Sequence, residues 1–141
     1  MRLPEAEARK RLERMRVLRL ATVDQEGRPH QVPILFAVRG DVVVTAIDDK
    51  PKRHLHLRRL SNIRTNSAVC VLADLYSDDW SELWWVRADG TAQILQGSAR
   101  TEPVRLLTEK YPQYAERPPE GPVIEIAVTR WSGWAATSPT H

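Results

Sequence analysis

The sequence is poor in several features, and each scarcity excludes a class of structure. Cys70 is the one cysteine in 141 residues, so no internal disulfide can form, and a reducing cytoplasm is the simplest compartment. The charge-free apolar runs, such as residues 42–47, are far too short to span a bilayer. The first residues are charged and lack the apolar core of a secretion signal. We therefore expect a single cytoplasmic domain over residues 1–141, without membrane contact.

Acidic residues are absent from one continuous stretch, residues 50–73, which we call the acid-free segment. The rest of the chain holds more acidic than basic residues. Such a concentrated patch suits a phosphate or a small polyanion, whereas a nucleic-acid-binding domain is more often basic throughout. We therefore expect no nucleic-acid partner, and a solvated basic helix face is the alternative interpretation. The segment carries six basic residues, Lys50, Lys52, Arg53, Arg58, Arg59 and Arg64.

Hydrophobic periodicity predicts a mainly β domain with flanking helices. An N-terminal helix is expected within residues 1–16, and others over 53–65, with Leu60 and Ile63 packing, and 102–111. The first three strands, 17–23, 30–38 with an interruption at Pro33, and 42–47, are predicted to form an antiparallel meander. Later strands are predicted over 68–75, 83–96 and 123–131, with a Pro-rich loop over 112–122. The C-terminal residues are predicted to form a tail that begins at residue 132 and includes residues 135–141. The pair Asp89-Gly90 indicates either a hairpin turn or a kink in one long strand.

The sequence lacks motifs for catalysis by the protein's own side chains or by a bound metal ion. The chain has no Gly-x-Ser-x-Gly elbow and no glycine-rich phosphate loop. Cys70 lies in an apolar run, where a thiol is usually inert. His54 and His56 would point about 200° apart on a helix and could not share a metal ion. We expect no catalytic side chain and no metal site.

The transition from the strand ending near Thr45 to the helix beginning near Arg53 is a candidate anion site. Helix N-termini offer free N–H groups, Lys50 and Lys52 supply point charges, and arginine binds phosphate oxygens with a planar fork.

Tryptophan is the second informative feature, because five are present beside a single phenylalanine. Trp80, Trp84 and Trp85 lie within six residues, and Arg87 follows. These rings could anchor the core, form a dimer interface, or line one side of a planar ligand with Arg87 adding a charge or stacking contact.

Three stretches resemble the split β-barrel flavoproteins related to pyridoxamine 5′-phosphate oxidase. Residues 20–33 (LATVDQEGRPHQVP) are similar to the first hairpin of that family, and residues 50–66 to its phosphate-binding loop and following helix. Residues 79–90 (DWSELWWVRADG) resemble the branch that uses the deazaflavin coenzyme F420 in place of FMN. The family's oxidase branch carries a C-terminal Arg–His signature, which the WSGW sequence at 131–134 does not match, so pyridoxamine phosphate oxidation is not expected.

The resemblance implies a homodimeric split β-barrel of six or so antiparallel strands, with the cofactor at the subunit interface and a kink at Asp89-Gly90. It implies phosphate contacts from Lys50, Lys52, Arg53 and Arg59. The wider cofactor site that it implies adds Pro33, Thr45, Asn62, Trp80, Trp84, Trp85 and Arg87. The expected function is hydride transfer from reduced F420 to an organic acceptor. An FMN-dependent oxidoreductase and a non-catalytic cofactor-binding protein are the alternatives.

Overall fold

One curled antiparallel sheet of seven strands organises the molecule, in the order β2-β1-β5-β6-β7-β4-β3. The computed structural model describes residues 1–47 and 53–137, apart from the side chains of residues 53–57. The strands are β1 (Leu18–Val23), β2 (Pro29–Ile34), β3 (Ala37–Arg39), β4 (Val42–Ala46), β5 (Ala68–Leu75), β6 (Trp84–Leu95) and β7 (Val123–Ala135). The mainly β prediction is confirmed, with seven strands where about six were expected.

Helices flank this sheet, and none among the described residues is long and apolar enough to cross a bilayer. They are α1 (Glu5–Glu13), α2 (Arg53–Thr65), α3 (Thr101–Lys110) and α4 (Pro112–Glu116). The inner face of the sheet and the buried sides of α1 and α2 enclose the larger core, which includes the predicted packing residues Leu60 and Ile63. A smaller core lies under α3 and α4.

The predicted meander of the first three strands is wrong. The hairpin β1–β2 lies at one edge of the sheet and the hairpin β3–β4 at the other. The chain leaves the strand at Leu35 and Phe36, and not at Pro33, because Phe36 is fully buried and its N–H donates to the Tyr111 hydroxyl at 3.0 Å. Pro33 lies on the edge strand β2, the position in a sheet where proline is best tolerated.

β6 runs through Asp89 and Gly90 as one strand, so the kink is confirmed and the hairpin turn excluded. Its register with β7 shifts between these two residues. A Cβ atom at Gly90 would lie 2.3 Å from the carbonyl oxygen of Ala127. Glycine therefore allows the two backbones to approach at the bulge.

Two predictions for the C-terminal third need correction. β7 extends to Ala135 along the whole of β6, so residues 132–135 are strand and not tail, because β6 offers partners as far as Trp84. The predicted loop over 112–122 begins with the short helix α4, where Pro112 occupies the first turn and Tyr114 is buried. Proline suits that position since its missing N–H would be unpaired there in any case.

Candidate functional site

Arg59 is the buried cation of helix α2. The residue is only 7% exposed, and its Nε atom has no hydrogen-bond partner within the part of the chain that the structure describes. The neighbouring basic residues Arg58 and Arg64 are exposed on the same helix. Burial lowers the pKa of the Arg59 guanidinium, yet an arginine remains charged at neutral pH. The acid-free segment thus places one of its cations inside the protein.

No carboxylate compensates this charge among the described residues. Arg58, Arg59 and Arg64 form none of the ion pairs found within the described ranges, where the other arginines of α1, α3 and the turns pair repeatedly. A buried cation without a partner is costly, and an anionic ligand would offset that cost.

Asn62 lies one helical turn beyond Arg59 and fastens α2 to the sheet. It is buried, and its Nδ2 donates to the hydroxyl of Thr22 on β1 at 3.0 Å. Thr22 in turn pairs across the strands with His30 of β2. Residues three apart on a helix share a face, and paired residues in a sheet share a side. Arg59, Asn62, Thr22 and His30 therefore form one polar cluster, which we call the α2 cluster.

His30 is the member of this cluster that sequence analysis missed. Its Nδ1 atom is buried and has no hydrogen-bond partner among the residues described, and burial together with the charges of Arg58 and Arg59 lowers the pKa of the imidazole. A signal did exist, because Val32 and Ile34 are buried on β2 and the alternation of a strand places His30 on their side. A histidine on the buried side of this strand is therefore the sequence feature that could have identified His30 as a site residue.

A second group of predicted site residues lies on the other face of the sheet. The registers place Pro33, Arg19, Leu72 and Arg87 in one row across β2, β1, β5 and β6. At the usual strand spacing this row spans roughly 14 Å from Pro33 to Arg87.

In the adjacent row on the same face, Trp85 pairs with Asp74 and Trp134. The Arg87 guanidinium carbon lies 5.9 Å from the centre of the Trp85 ring, and Arg87 Nε lies 3.3 Å from a carboxylate oxygen of Asp89. Arg87 and Trp85 are thus partly ordered before any ligand arrives.

The remaining predicted residues are scattered. Thr45 is buried on β4 opposite Ile124, and Trp80 is 77% exposed in the short turn Trp80–Glu82. Trp84 points away from Trp85 and packs on α1, where the Arg11 guanidinium carbon lies 5.5 Å from its ring centre. Within one chain, therefore, the three tryptophans do not form a single aromatic wall.

The predicted phosphate loop falls outside the described residues. Lys50 and Lys52 belong to it, and Arg53 is described only as the first backbone position of α2. Over residues 1–47 and 53–137, no group of three or more His, Cys, Asp or Glu residues could hold a metal ion.

A cleft of about 420 Å³ opens between the start of β1 and helix α4. Tyr114 of α4 lines it and also acts electrostatically on Arg59, so the two lie close together. Arg16 is held there in a fixed position, since its Nη2 donates to the Lys110 carbonyl at 3.1 Å and its guanidinium carbon lies 4.8 Å from the Tyr111 ring centre. The lining residues are Arg16, Val17, Leu35, Tyr111, Gln113, Tyr114 and Arg117, without a carboxylate.

Comparison with protein families identifies the origin of this architecture. The family model described as pyridoxamine 5′-phosphate oxidase matches residues 4–135. The chain belongs to the pyridoxamine 5′-phosphate oxidase family. Its seven-stranded curled sheet with flanking helices is the split β-barrel that the sequence resemblance implied. A search of curated proteins gave no match.

Solved structures show that this family fold occurs in proteins with different ligands. An FAD-binding protein of Mesorhizobium loti superposes with a TM-score of 0.70 at 20% identity, covering 94% of this chain and 95% of that one. The FAD-binding protein of Mycobacterium smegmatis has a TM-score of 0.65 at 18% identity, covering 95% and 96%. The heme storage protein HutZ of Vibrio cholerae has a TM-score of 0.70 at 15% identity, covering 93% of each chain. At these identities the likeness concerns the fold of the pyridoxamine 5′-phosphate oxidase family and not the ligand.

Proposed function

We propose that this protein is an oxidoreductase that binds the deazaflavin coenzyme F420 through its phosphate and passes hydride to an organic acceptor. The observation that carries the proposal is Arg59, a buried cation with an unpartnered Nε and no carboxylate counter-ion among the described residues. A cofactor phosphate fits this site, because it offers acceptor oxygens and a compensating charge to a desolvated guanidinium.

The residues of the chain bind and orient the cofactor in this proposal. Arg59 binds the phosphate, with Lys50, Lys52 and Arg53 as further contacts, and Asn62 holds α2 against β1 through Thr22. Trp85 and Arg87 provide a planar surface with a charge beside it. When bound, the deazaflavin itself supplies the hydride chemistry, so the lack of a motif for acid–base or nucleophilic catalysis is consistent with the role.

The preference for F420 over FMN is proposed from the surplus of positive charge. FMN carries a phosphate, whereas F420 carries a phosphate and an oligoglutamate tail with several carboxylates. Arg58 and Arg64 are exposed on α2 and remain available for such a tail. Each exposed ion pair contributes about 0–1 kcal/mol, so the preference should be modest and sensitive to salt.

Two alternatives keep specific support. FAD-binding relatives of the same fold favour a flavin such as FMN as the cofactor. The heme storage protein of Vibrio cholerae favours a non-catalytic role in holding a cofactor. Both alternatives use the same fold, and both are separated from the main proposal by binding and turnover measurements.

A homodimer completes the proposed site. The α2 cluster and the row that includes Pro33 and Arg87 lie on opposite faces of one chain's sheet. We propose that a second copy covers the face bearing Leu72 and Trp85, which are only partly buried in the single chain, and places the two groups around one cofactor. Exposed apolar side chains nearby, Leu75, Tyr76, Trp80 and Trp134, favour a covered surface.

The proposal is tested by titrating the cofactor-free protein with F420, with F420 lacking its glutamates, and with FMN, at low and high salt. We expect F420 to bind most tightly and to lose part of its advantage at high salt. Stronger binding of FMN at both salt concentrations would contradict the preference for F420 and support the FMN alternative. Binding without hydride transfer to any quinone, enone or tetrapyrrole would support a carrier. Sedimentation of a monomer that still binds cofactor would contradict the dimer.

A further inference from the structure

Two buried nitrogen atoms of the α2 cluster, Nδ1 of His30 and Nε of Arg59, have no hydrogen-bond partner among the described residues. They belong to different elements, β2 and α2, which the Asn62–Thr22 hydrogen bond holds together. Burial and the charges of Arg58 and Arg59 lower the pKa of the His30 imidazole, so these side chains lie within electrostatic range of one another. Buried polar atoms in native proteins are rarely left without a partner, and an anionic ligand on this side of the sheet would supply one.

An oxyanion can accept a hydrogen bond from each of the two nitrogens, and its negative charge favours the protonated imidazole. Arginine Nε always carries a hydrogen, whereas histidine Nδ1 carries one in the charged form and in one of the two neutral tautomers. Without an anion the charged imidazole is disfavoured, because burial and the cations Arg58 and Arg59 lower the pKa of His30. No carboxylate of the described elements opposes these effects, and Tyr114 of α4 acts on Arg59. A bound anion reverses the balance and favours the imidazolium.

We infer that His30 and Arg59 form a proton-coupled site for a phosphate-type oxyanion, in which binding of the anion adds one proton from solvent to the imidazole. The N–H bond at His30 is the only bond formed, and no electrons are transferred. The inference rests on the proposed function, since the phosphate of the cofactor is the expected anion there. Free phosphate has the same chemistry and is distinguished by experiment.

Sulfate is the best first probe, because it has tetrahedral geometry and does not titrate between pH 5 and 8. The imidazole C–H signals of the full-length protein are followed by NMR against pH, with and without saturating sulfate, and His30 is assigned with His30→Gln. We expect the pKa of His30 to lie below the ordinary value without sulfate and to rise by about one or more on the pH scale with it. Sulfate affinity should increase several-fold between pH 7.5 and 6, and His30→Gln should remove that increase.

Arg14 provides the control for Arg59, because Arg14 is exposed at the end of α1 and does not act on His30. Arg14→Gln should keep the response of His30 to sulfate, and Arg59→Gln should abolish it. Arg59→Lys, which keeps the charge but loses the Nε–H donor, serves if Arg59→Gln does not fold. Equal responses in the Arg14 and Arg59 variants, an unchanged His30 signal with sulfate bound, or no sulfate binding would each overturn the inference.

FMN and riboflavin then identify the source of the anion, because they differ only in the phosphate. A rise in the pKa of His30 with FMN and none with riboflavin supports a cofactor phosphate at this site. If sulfate raises the pKa of His30 but bound FMN does not, the proton-coupled site is supported and the phosphate of the cofactor binds elsewhere. Tight binding of F420 or FMN without any response of His30 to either ligand or to sulfate overturns the inference and leaves the proposed function intact.

Discussion

Replacing Arg59 by methionine should stabilise the cofactor-free protein and weaken cofactor binding. Methionine preserves the packing of the aliphatic stem while removing a buried charge that has no counter-ion among the described residues. Replacing a buried ion by an apolar side chain of similar shape gains about 1–4 kcal/mol, and the lower half of that range suits a single arginine at the end of the core. For a domain of this length, about 1–2 kcal/mol raises the Tm by roughly 3–8 °C.

The same substitution removes a charge-assisted hydrogen bond to the proposed phosphate. Such a bond contributes about 1.5–3 kcal/mol, which corresponds to about a 10- to 150-fold loss of affinity. Thermal unfolding without ligand and fluorescence titration with F420 and FMN measure the two effects separately.

The control is Arg14→Met at an exposed position at the end of α1, which should change stability by less than about 0.5 kcal/mol and affinity only slightly. A lower Tm for Arg59→Met would show that the guanidinium is satisfied within the folded chain. An unchanged cofactor affinity would show that the phosphate binds elsewhere.

Three further predictions test the loop at Lys52, the bulge at Gly90 and the buried ammonium of Lys110. Lys52→Ala should weaken cofactor binding about tenfold or more, whereas Arg9→Ala on α1 should have little effect, and equal losses would indicate diffuse electrostatics. Gly90→Ala should destabilise the fold by about 2–3 kcal/mol in urea unfolding, because its Cβ would overlap the Ala127 carbonyl oxygen, and a neutral result would contradict the tight approach. Burial lowers the pKa of Lys110 to about 8, so the unfolded state binds more protons than the folded state above pH 8, and stability should rise between pH 8 and 9.5. Lys110→Met should remove that rise when unfolding free energies are measured across this range.

The parts of the fold that sequence predicted are those set by local pattern. Strand β5 is a nearly continuous apolar run, and helix α2 places Leu60 and Ile63 on one buried face. Local sequence does not decide between a hairpin turn and a kink at Gly90, because Asp-Gly suits both. The pairing of β6 with β7 decides for the kink. The separation of the two N-terminal hairpins depends on the long-range bond from Phe36 to Tyr111, which no local pattern indicates.

The candidate site, like the fold, contains residues that local sequence identifies and others that depend on contacts between distant parts of the chain. The acid-free segment identified α2 from composition alone, and Arg59 and Asn62 lie together on its buried side. His30 was missed because its importance comes from facing α2 across Thr22, a contact between distant parts of the chain. Trp84 and Trp85 were grouped by proximity in sequence, although neighbouring residues in a strand point to opposite faces. For residues within one strand, the face of the sheet to which a side chain points therefore predicts a shared site better than proximity in sequence does.

The position of β4 beside β7 imposes an order on folding. Val42 pairs with Ala127 and Ala46 with Val123, so one side of β4 has no partner until the last strand has been synthesised. Residues 42–47 (VVVTAI) form an apolar, uncharged stretch of high β propensity, the kind of segment that associates with other chains when its edge is open. Pairing over such a separation also slows folding, because the closure entropy of a long loop precedes the contacts that repay it. Chains truncated before Val123 should therefore accumulate as insoluble protein, because one edge of β4 would stay open.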